Sequence, residues 1–252
     1  MIISTAPIVV IGMHRSGTTF LAQVLERSGV LMGRDMIAYA ESRFFQRCNE
    51  DLLARKQAHW DKPATTDERP LLYNTREHFT RYGSLRKHPL GWPSMLTKKG
   101  WGWKDPRNTF TLGSWLKIFP SLHAIHICRN GLDVAQSLHE RNAMLQPDSK
   151  WHSARLTDLH DCFTLWEAYV NQAQSWKGVL GKRYVQVRYE DLVATRADAI
   201  KTLEDFCGRR LHKAVSELVN KERRIKEPVT EMDTLRGKAR NNQTLLRLGY
   251  AV

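Results

Sequence analysis

Ile8-Val9-Val10-Ile11 is a β-branched run that stops at Gly12 and gives way, from about Thr18, to an apolar pattern of helical period. A run with no polar side to offer water fits a strand covered on both faces, as in a parallel sheet. Phe20, Leu21, Val24 and Leu25 then share one helix face, and Gly29 supplies a stop. Strand, glycine loop and helix in immediate succession confine the chain to α/β architectures. Ligands in such sheets bind beyond the carboxyl ends of the strands.

The loop reads Gly12-Met13-His14-Arg15-Ser16-Gly17-Thr18-Thr19. Its GxxxxG spacing suits a phosphate cradle: glycines let successive N–H groups turn inward, and the following helix adds its positive N-terminal dipole end. Thr18 stands where a magnesium-nucleotide loop carries lysine, and the cation sits inside the loop as Arg15. The loop is therefore built for phosphate without the Lys–Ser/Thr pair that organises Mg-nucleotide.

Further on, strands alternate with helices. Strands are expected at Trp101–Lys104, Leu122–Cys128 and Tyr184–Val187. Helices are expected around Phe44–Leu53, Thr109–Phe119, Leu132–Asn142, Leu156–Lys177, Arg196–Cys207 and His212–Lys221, followed by a basic tail. Arg129 ends the second confident strand, and Ser137 lies about two turns into the next helix, so both can converge on one oxyanion. The formal charge of +13, from 39 Lys and Arg against 26 Asp and Glu, predicts an anionic ligand or partner without naming it. Four scattered cysteines form neither a zinc pattern nor a disulfide framework, and no segment has the length of a membrane span or the form of a signal peptide. A cytoplasmic setting is the simplest expectation.

These motifs resemble the sulfotransferase superfamily, in a bacterial-type, carbohydrate-like branch. The loop resembles the family's PRSGTT element. Arg129-Asn130-Gly131-Leu132-Asp133-Val134-Ala135-Gln136-Ser137 resembles RNPxDVxxS, Tyr189-Glu190-Asp191-Leu192 resembles YEDL, and Lys104-Asp105-Pro106-Arg107 resembles KDPR. The resemblance implies a P-loop kinase-like three-layer fold with a central parallel sheet flanked by helices. It implies the donor 3'-phosphoadenosine 5'-phosphosulfate, the product adenosine 3',5'-bisphosphate and no metal. Arg15, Ser16, Gly17, Thr18 and Thr19 would hold the 5'-phosphosulfate, Arg129 and Ser137 the 3'-phosphate, and Tyr189 would lie near adenine.

Arg15 and Lys104 are the cations expected to neutralise developing charge. Pro106 occupies the place of a histidine base in cytosolic relatives, so Glu41 is the expected base and Asp105 its competitor. Gly131 replaces a frequent Pro or Ala, with little consequence expected. His14, His123 and His126 read as structural, while Trp60, Trp92, Trp101 and Trp103 fit either an acceptor cleft or the core. The expected organisation is one domain, 1–252, with an insertion at about 33–100 that shapes the acceptor site. The expected acceptor is a small molecule or glycan, and no specific nucleic acid. A P-loop kinase or NTPase, or a non-catalytic polyanion-binding relative, is the alternative.

Overall fold

The computed structural model describes residues 6–33, 35–68, 100–222 and 232–250, except for the side chains of 220–222 and 238. Much of the expected insertion, and Trp92 with it, lies outside these residues. Four strands form one parallel sheet: β1 (Ile8–Ile11), β4 (Gly102–Lys104), β5 (His123–Cys128) and β6 (Tyr184–Arg188), in the order β4-β1-β5-β6. A short antiparallel pair, β2 (Met36–Ile37) and β3 (Glu41–Ser42), stands apart. The helices are α1 (Thr18–Arg27), α2 (Arg43–Ala54), α3 (Asn108–Leu116), α4 (Gly131–Ala143), α5 (Leu159–Leu180), α6 (Tyr189–Val193), α7 (Ala197–Cys207), α8 (His212–Glu222), α9 (Met232–Ala239) and α10 (Gln243–Arg247).

The strands are apolar on both faces because both are covered. Ile8, Val10, Ile125, Ile127 and Val187 pack under α1, α7 and α8. Val9, Ile11, Trp103 and Ala124 pack on the other side with Phe45, Leu112, Trp115 and Ala173. This is the three-layer α/β arrangement expected from the sequence. Trp101 and Trp103 belong to that second core: Trp103 stacks on Phe45 at 4.1 Å and against Trp101 at 5.8 Å. Such ring pairs are worth about 0.5–1.5 kcal/mol beyond their area burial.

β1 lies between β4 and β5, so the chain leaves it first toward one neighbour and later returns to the other. That reversal opens a crevice at the carboxyl end of β1. The register places Val10 beside Lys104, Ile11 beside His126 and Cys128 beside Arg188. The segments after each strand, Gly12–Gly17, Asp105–Arg107, Arg129–Asn130 and Tyr189–Glu190, therefore emerge along one edge.

Two features differ from the sequence expectation. The tail forms α9 and α10, whose Met232, Leu235, Ala239 and Leu245, with Leu248 just after α10, cover the α4–α5 core. The sparse apolar residues of this segment were masked by its basic composition. Gly131 also matters: a Cβ there would lie 2.6 Å from the Trp166 ring and 2.8 Å from Phe163. Trp166 takes the room that a proline or alanine needs, and its indole N–H donates to the Arg129 carbonyl at 3.1 Å. Gly131→Ala is accordingly expected to cost about 1–3 kcal/mol through overpacking. In thermal unfolding, adding Trp166→Phe should produce a loss smaller than the sum of the two single losses; strict additivity would contradict the contact.

Candidate active site

The glycine loop takes its shape from strand contacts. Gly12 has φ 135, and a Cβ there would lie 2.3 Å from the Ile127 carbonyl oxygen of β5. Its N–H donates to Thr109 Oγ1 at 3.0 Å, tying the loop to α3. Arg15 and Gly17 are both left-handed, with φ 67 and 88, and Gly17 caps α1. A Cβ on Gly17 would meet the Tyr189 ring at 2.3 Å, so glycine lets the loop lie against that aromatic face. Tyr189 also meets Phe20 edge-on at 5.8 Å.

The loop faces the α4 entrance. Arg15 Nε donates to Ser137 Oγ at 2.9 Å across 122 residues of sequence. Arg129 donates to the Arg15 carbonyl at 3.4 Å, pairs with Asp133 at 3.3 Å and stands over the Tyr189 ring at 5.2 Å. Asn130 caps α4 through Leu132 N. Its own N–H donates to Glu190, whose second oxygen accepts the Tyr250 hydroxyl, both at 2.8 Å. Thus the C-terminal turn is anchored to the Arg129 loop. Two buried donors here, Ser16 Oγ and Arg129 Nε, have no hydrogen-bond partner among the described residues. Buried polar groups are rarely left so, and an oxyanion with several acceptor oxygens fits both.

A second, largely buried charge network lies beside the loop. Lys104 Nζ donates to Glu41 at 2.8 Å, to the Tyr39 carbonyl at 3.1 Å and to Thr19 Oγ1 at 3.4 Å. Glu41 also accepts from Gln46 at 3.1 Å and Arg107 at 3.4 Å. Arg107 reaches Asp105 at 2.9 Å and Glu50 at 2.9 Å. Asp105 is fully buried and further accepts from Asn49 and from the Arg107 backbone. Its carboxylate is committed to α2 and to its own turn, whereas Glu41 stands next to Lys104 and the loop threonine.

Burial, followed by repulsion from Asp105, raises the Glu41 pKa above the usual carboxylate value, while Lys104 and Arg107 oppose the shift. Burial lowers Lys104, and attraction to Glu41 opposes that. For Arg107, burial is outweighed by Asp105, Glu41 and Glu50, so its pKa rises. His14 packs edge-on against Trp60 at 5.1 Å. Burial, then the charges of Arg107, Lys104, Arg141 and Arg15, hold it well below the ordinary value and hence neutral. His126 is buried, hydrogen-bonds Tyr184 at 2.8 Å and is pushed by burial to about 3.

The structure thus brings together Arg15, Ser16, Gly17, Ser137, Arg129 and Tyr189 on one side, and Thr19, Lys104, Glu41 and Asp105 on the other. Thr18 is buried in the first turn of α1. Sequence reasoning did not single out Arg107, although it ends the quoted KDPR segment, nor Tyr39 and Arg141, which carry no motif. Arg107→Met would leave Asp105 buried without its cation, and losses of about 3–5 kcal/mol follow from such changes. Denaturant titration should show a loss of that size; a loss under about 1 kcal/mol would mean that Asp105 does not depend on Arg107.

A model of the sulfotransferase family matches residues 7–213. Among solved structures, the sulfotransferase domain of the Synechococcus PCC 7002 olefin synthase is similar at TM-score 0.57 and 16% identity, covering 98% of this chain and 95% of that one. The sulfotransferase from Alicyclobacillus acidocaldarius gives 0.54 and 12%, covering 98% and 97%. The sulfotransferase domain of the curacin biosynthetic pathway gives 0.53 and 13%, covering 98% of each chain. At these identities the likeness concerns the fold. An uncharacterised protein of Aquifex aeolicus (strain VF5) is 24% identical over 233 residues, spanning 88% of this chain and 28% of its own length. Among the described residues no helix is long and apolar enough to cross a membrane, and no group of three or more His, Cys, Asp or Glu could hold a metal ion. The loop-and-strand geometry and the family match agree, and the chain belongs to the sulfotransferase family.

Proposed function

We propose that this chain transfers a sulfuryl group from 3'-phosphoadenosine 5'-phosphosulfate to an acceptor hydroxyl, a carbohydrate hydroxyl first among them. The reading rests chiefly on Arg15 and Ser137, joined at 2.9 Å although they belong to two separate phosphate-type motifs. A donor with a 5'-phosphosulfate and a 3'-phosphate uses both motifs; a mononucleotide uses one. Loop N–H groups, Ser16, Thr18 and Thr19 bind the 5' end at the α1 N-terminus, where the helix dipole favours anions. Arg129 and Ser137 take the 3'-phosphate, with Asp133 and Glu190 holding that loop in place. Tyr189, set against Gly17, offers its face to the adenine.

In the chemical step the acceptor oxygen forms a bond to sulfur as the bond from sulfur to the phosphate oxygen breaks. The electron pair leaves on the 5'-phosphate of adenosine 3',5'-bisphosphate. Arg15 and Lys104 meet that charge through preorganised electrostatics. Glu41 takes the acceptor proton; Lys104, Arg107 and Gln46 orient its carboxylate, and Asp105 orients Arg107. No metal is required. The chain acts as one domain in which residues around 33–100 shape the acceptor site.

Adenosine 3',5'-bisphosphate should raise the melting temperature of the protein, and adenosine 5'-monophosphate should do so less at equal concentration. Absence of bisphosphate binding, or preference for Mg-ATP, would overturn the donor assignment. Glu41→Gln should lower kcat by about 10²–10⁴-fold with bisphosphate affinity nearly unchanged. The pH profile carries a sign. A raised Glu41 pKa keeps the carboxyl protonated to higher pH, so kcat should climb with pH along an acid limb centred above 4.5. That limb should vanish in Glu41→Gln; its persistence would place the base elsewhere.

A further inference from the structure

Arg141 has a position and a charge that the donor site does not use. It follows Ser137 by one turn of α4, so both side chains stand on the same helix face. Ser137 holds Arg15 at 2.9 Å. The Arg141 guanidinium lies over the Trp60 ring at 5.6 Å, with Tyr39, Arg15 and Glu41 near enough to bear on its charge. Its surroundings are therefore the Glu41 side of the site, bounded by Tyr39 and Trp60.

The charges around it are unequal. Lys104 is paired with Glu41, Arg107 with Asp105, Glu41 and Glu50, and Arg129 with Asp133. Among the described residues Arg141 has no carboxylate within ion-pair distance; the Trp60 indole packs on it and the Tyr39 phenol lies nearby. A partly buried guanidinium without a counter-ion is disfavoured by desolvation, and burial accordingly lowers its pKa. Among the described residues Arg15 likewise has no carboxylate within ion-pair distance, and it belongs to the phosphate loop, where it donates to Ser137.

Tyr39 adds a fixed aromatic surface. The residue is 59% exposed, yet its backbone is pinned: the carbonyl accepts from Lys104 at 3.1 Å and Thr19 at 3.1 Å. Tyr39 and Ala40 are both left-handed, with φ 64 and 54, a conformation that non-glycine residues hold only when their surroundings impose it. Trp60 also lines a cavity of about 240 Å³ that includes Arg107 and Trp151, so there is aromatic-walled space beside the same indole for the uncharged body of a ligand.

We propose that the acceptor is an anion, and that Arg141, framed by Tyr39 and Trp60, binds its negative group while Glu41 receives its hydroxyl proton. This rests on the donor and base assignments above and narrows them to a substrate class: hydroxylated molecules carrying a carboxylate, sulfate or phosphate. The formal charge of +13 would draw such molecules in.

The test uses the full chain saturated with adenosine 3',5'-bisphosphate and two matched probe pairs, glucuronate with glucose and 4-hydroxybenzoate with 4-hydroxybenzyl alcohol. Calorimetric titration should show binding of at least one anion and weaker or no binding of its neutral counterpart. Arg141→Gln should weaken the anion at least tenfold, Arg141→Lys should retain part of the affinity, and both should bind the bisphosphate as the wild type does. No binding of either anion, equal binding of anion and neutral partner, or an unchanged anion affinity in Arg141→Gln would overturn the proposal. A tenfold loss of bisphosphate affinity in Arg141→Gln would overturn it too, by making Arg141 a donor contact. Failure of the wild type to bind bisphosphate is a separate result, which removes the donor assignment itself.

Discussion

The Asp105 carboxylate is the fixed point on which the site is built. It is fully buried at the end of β4 and satisfied by Arg107 and by Asn49 of α2. Asn49 in turn donates to Asn108 and accepts from Thr111 and Trp115, so one α2 amide joins the β4 turn to α3. Arg107, held there, reaches Glu41, and Glu41 holds Lys104. Breaking such a buried network leaves a charge without compensation, and this cost keeps the carboxylate and the lysine in register.

A second chain of contacts runs from the sheet to the phosphate loop. Gly12 is pressed against Ile127 and bonded to Thr109, and Trp166 holds the Arg129 carbonyl. Both loops are therefore referenced to strands that lie side by side, and Arg15 can meet Ser137 without long flexible connections. The sheet order supplies this economy: β1 sits between β4 and β5, so all three carboxyl ends open into one crevice. The family's sulfuryl-transfer chemistry is then a matter of which cations and carboxylates line that crevice.

Most of the frame was legible in the sequence because it rests on local rules. The β-branched run at Ile8–Ile11, the glycine positions and the helical spacing of Phe20, Leu21, Val24 and Leu25 respond to sterics and burial that neighbours in sequence already define. The phosphate-type motifs were legible for the same reason: a loop between strand and helix carries its own geometry. The ends of elements were less so. The helix expected over Thr109–Phe119 closes at Leu116, and α9 and α10 arise inside a basic tail because their few apolar residues find the α4–α5 core.

What the sequence determined alone was the strand–loop–helix start, the cation within the loop and the residue types that could bind two phosphates. Only the tertiary structure decided how the charges divide. Asp105 and Glu41 look alike as carboxylates in a sequence; one is committed to Arg107 and Asn49, the other faces Lys104 beside Thr19. Gly131 looked exchangeable until Trp166 occupied its space. Arg141 is one arginine among many until α4 sets it beside Trp60 and Tyr39 with no carboxylate at ion-pair distance among the described residues. The reason is common to all three: pairing, burial and room for a Cβ depend on groups brought close by folding from distant parts of the chain, and no local pattern encodes them.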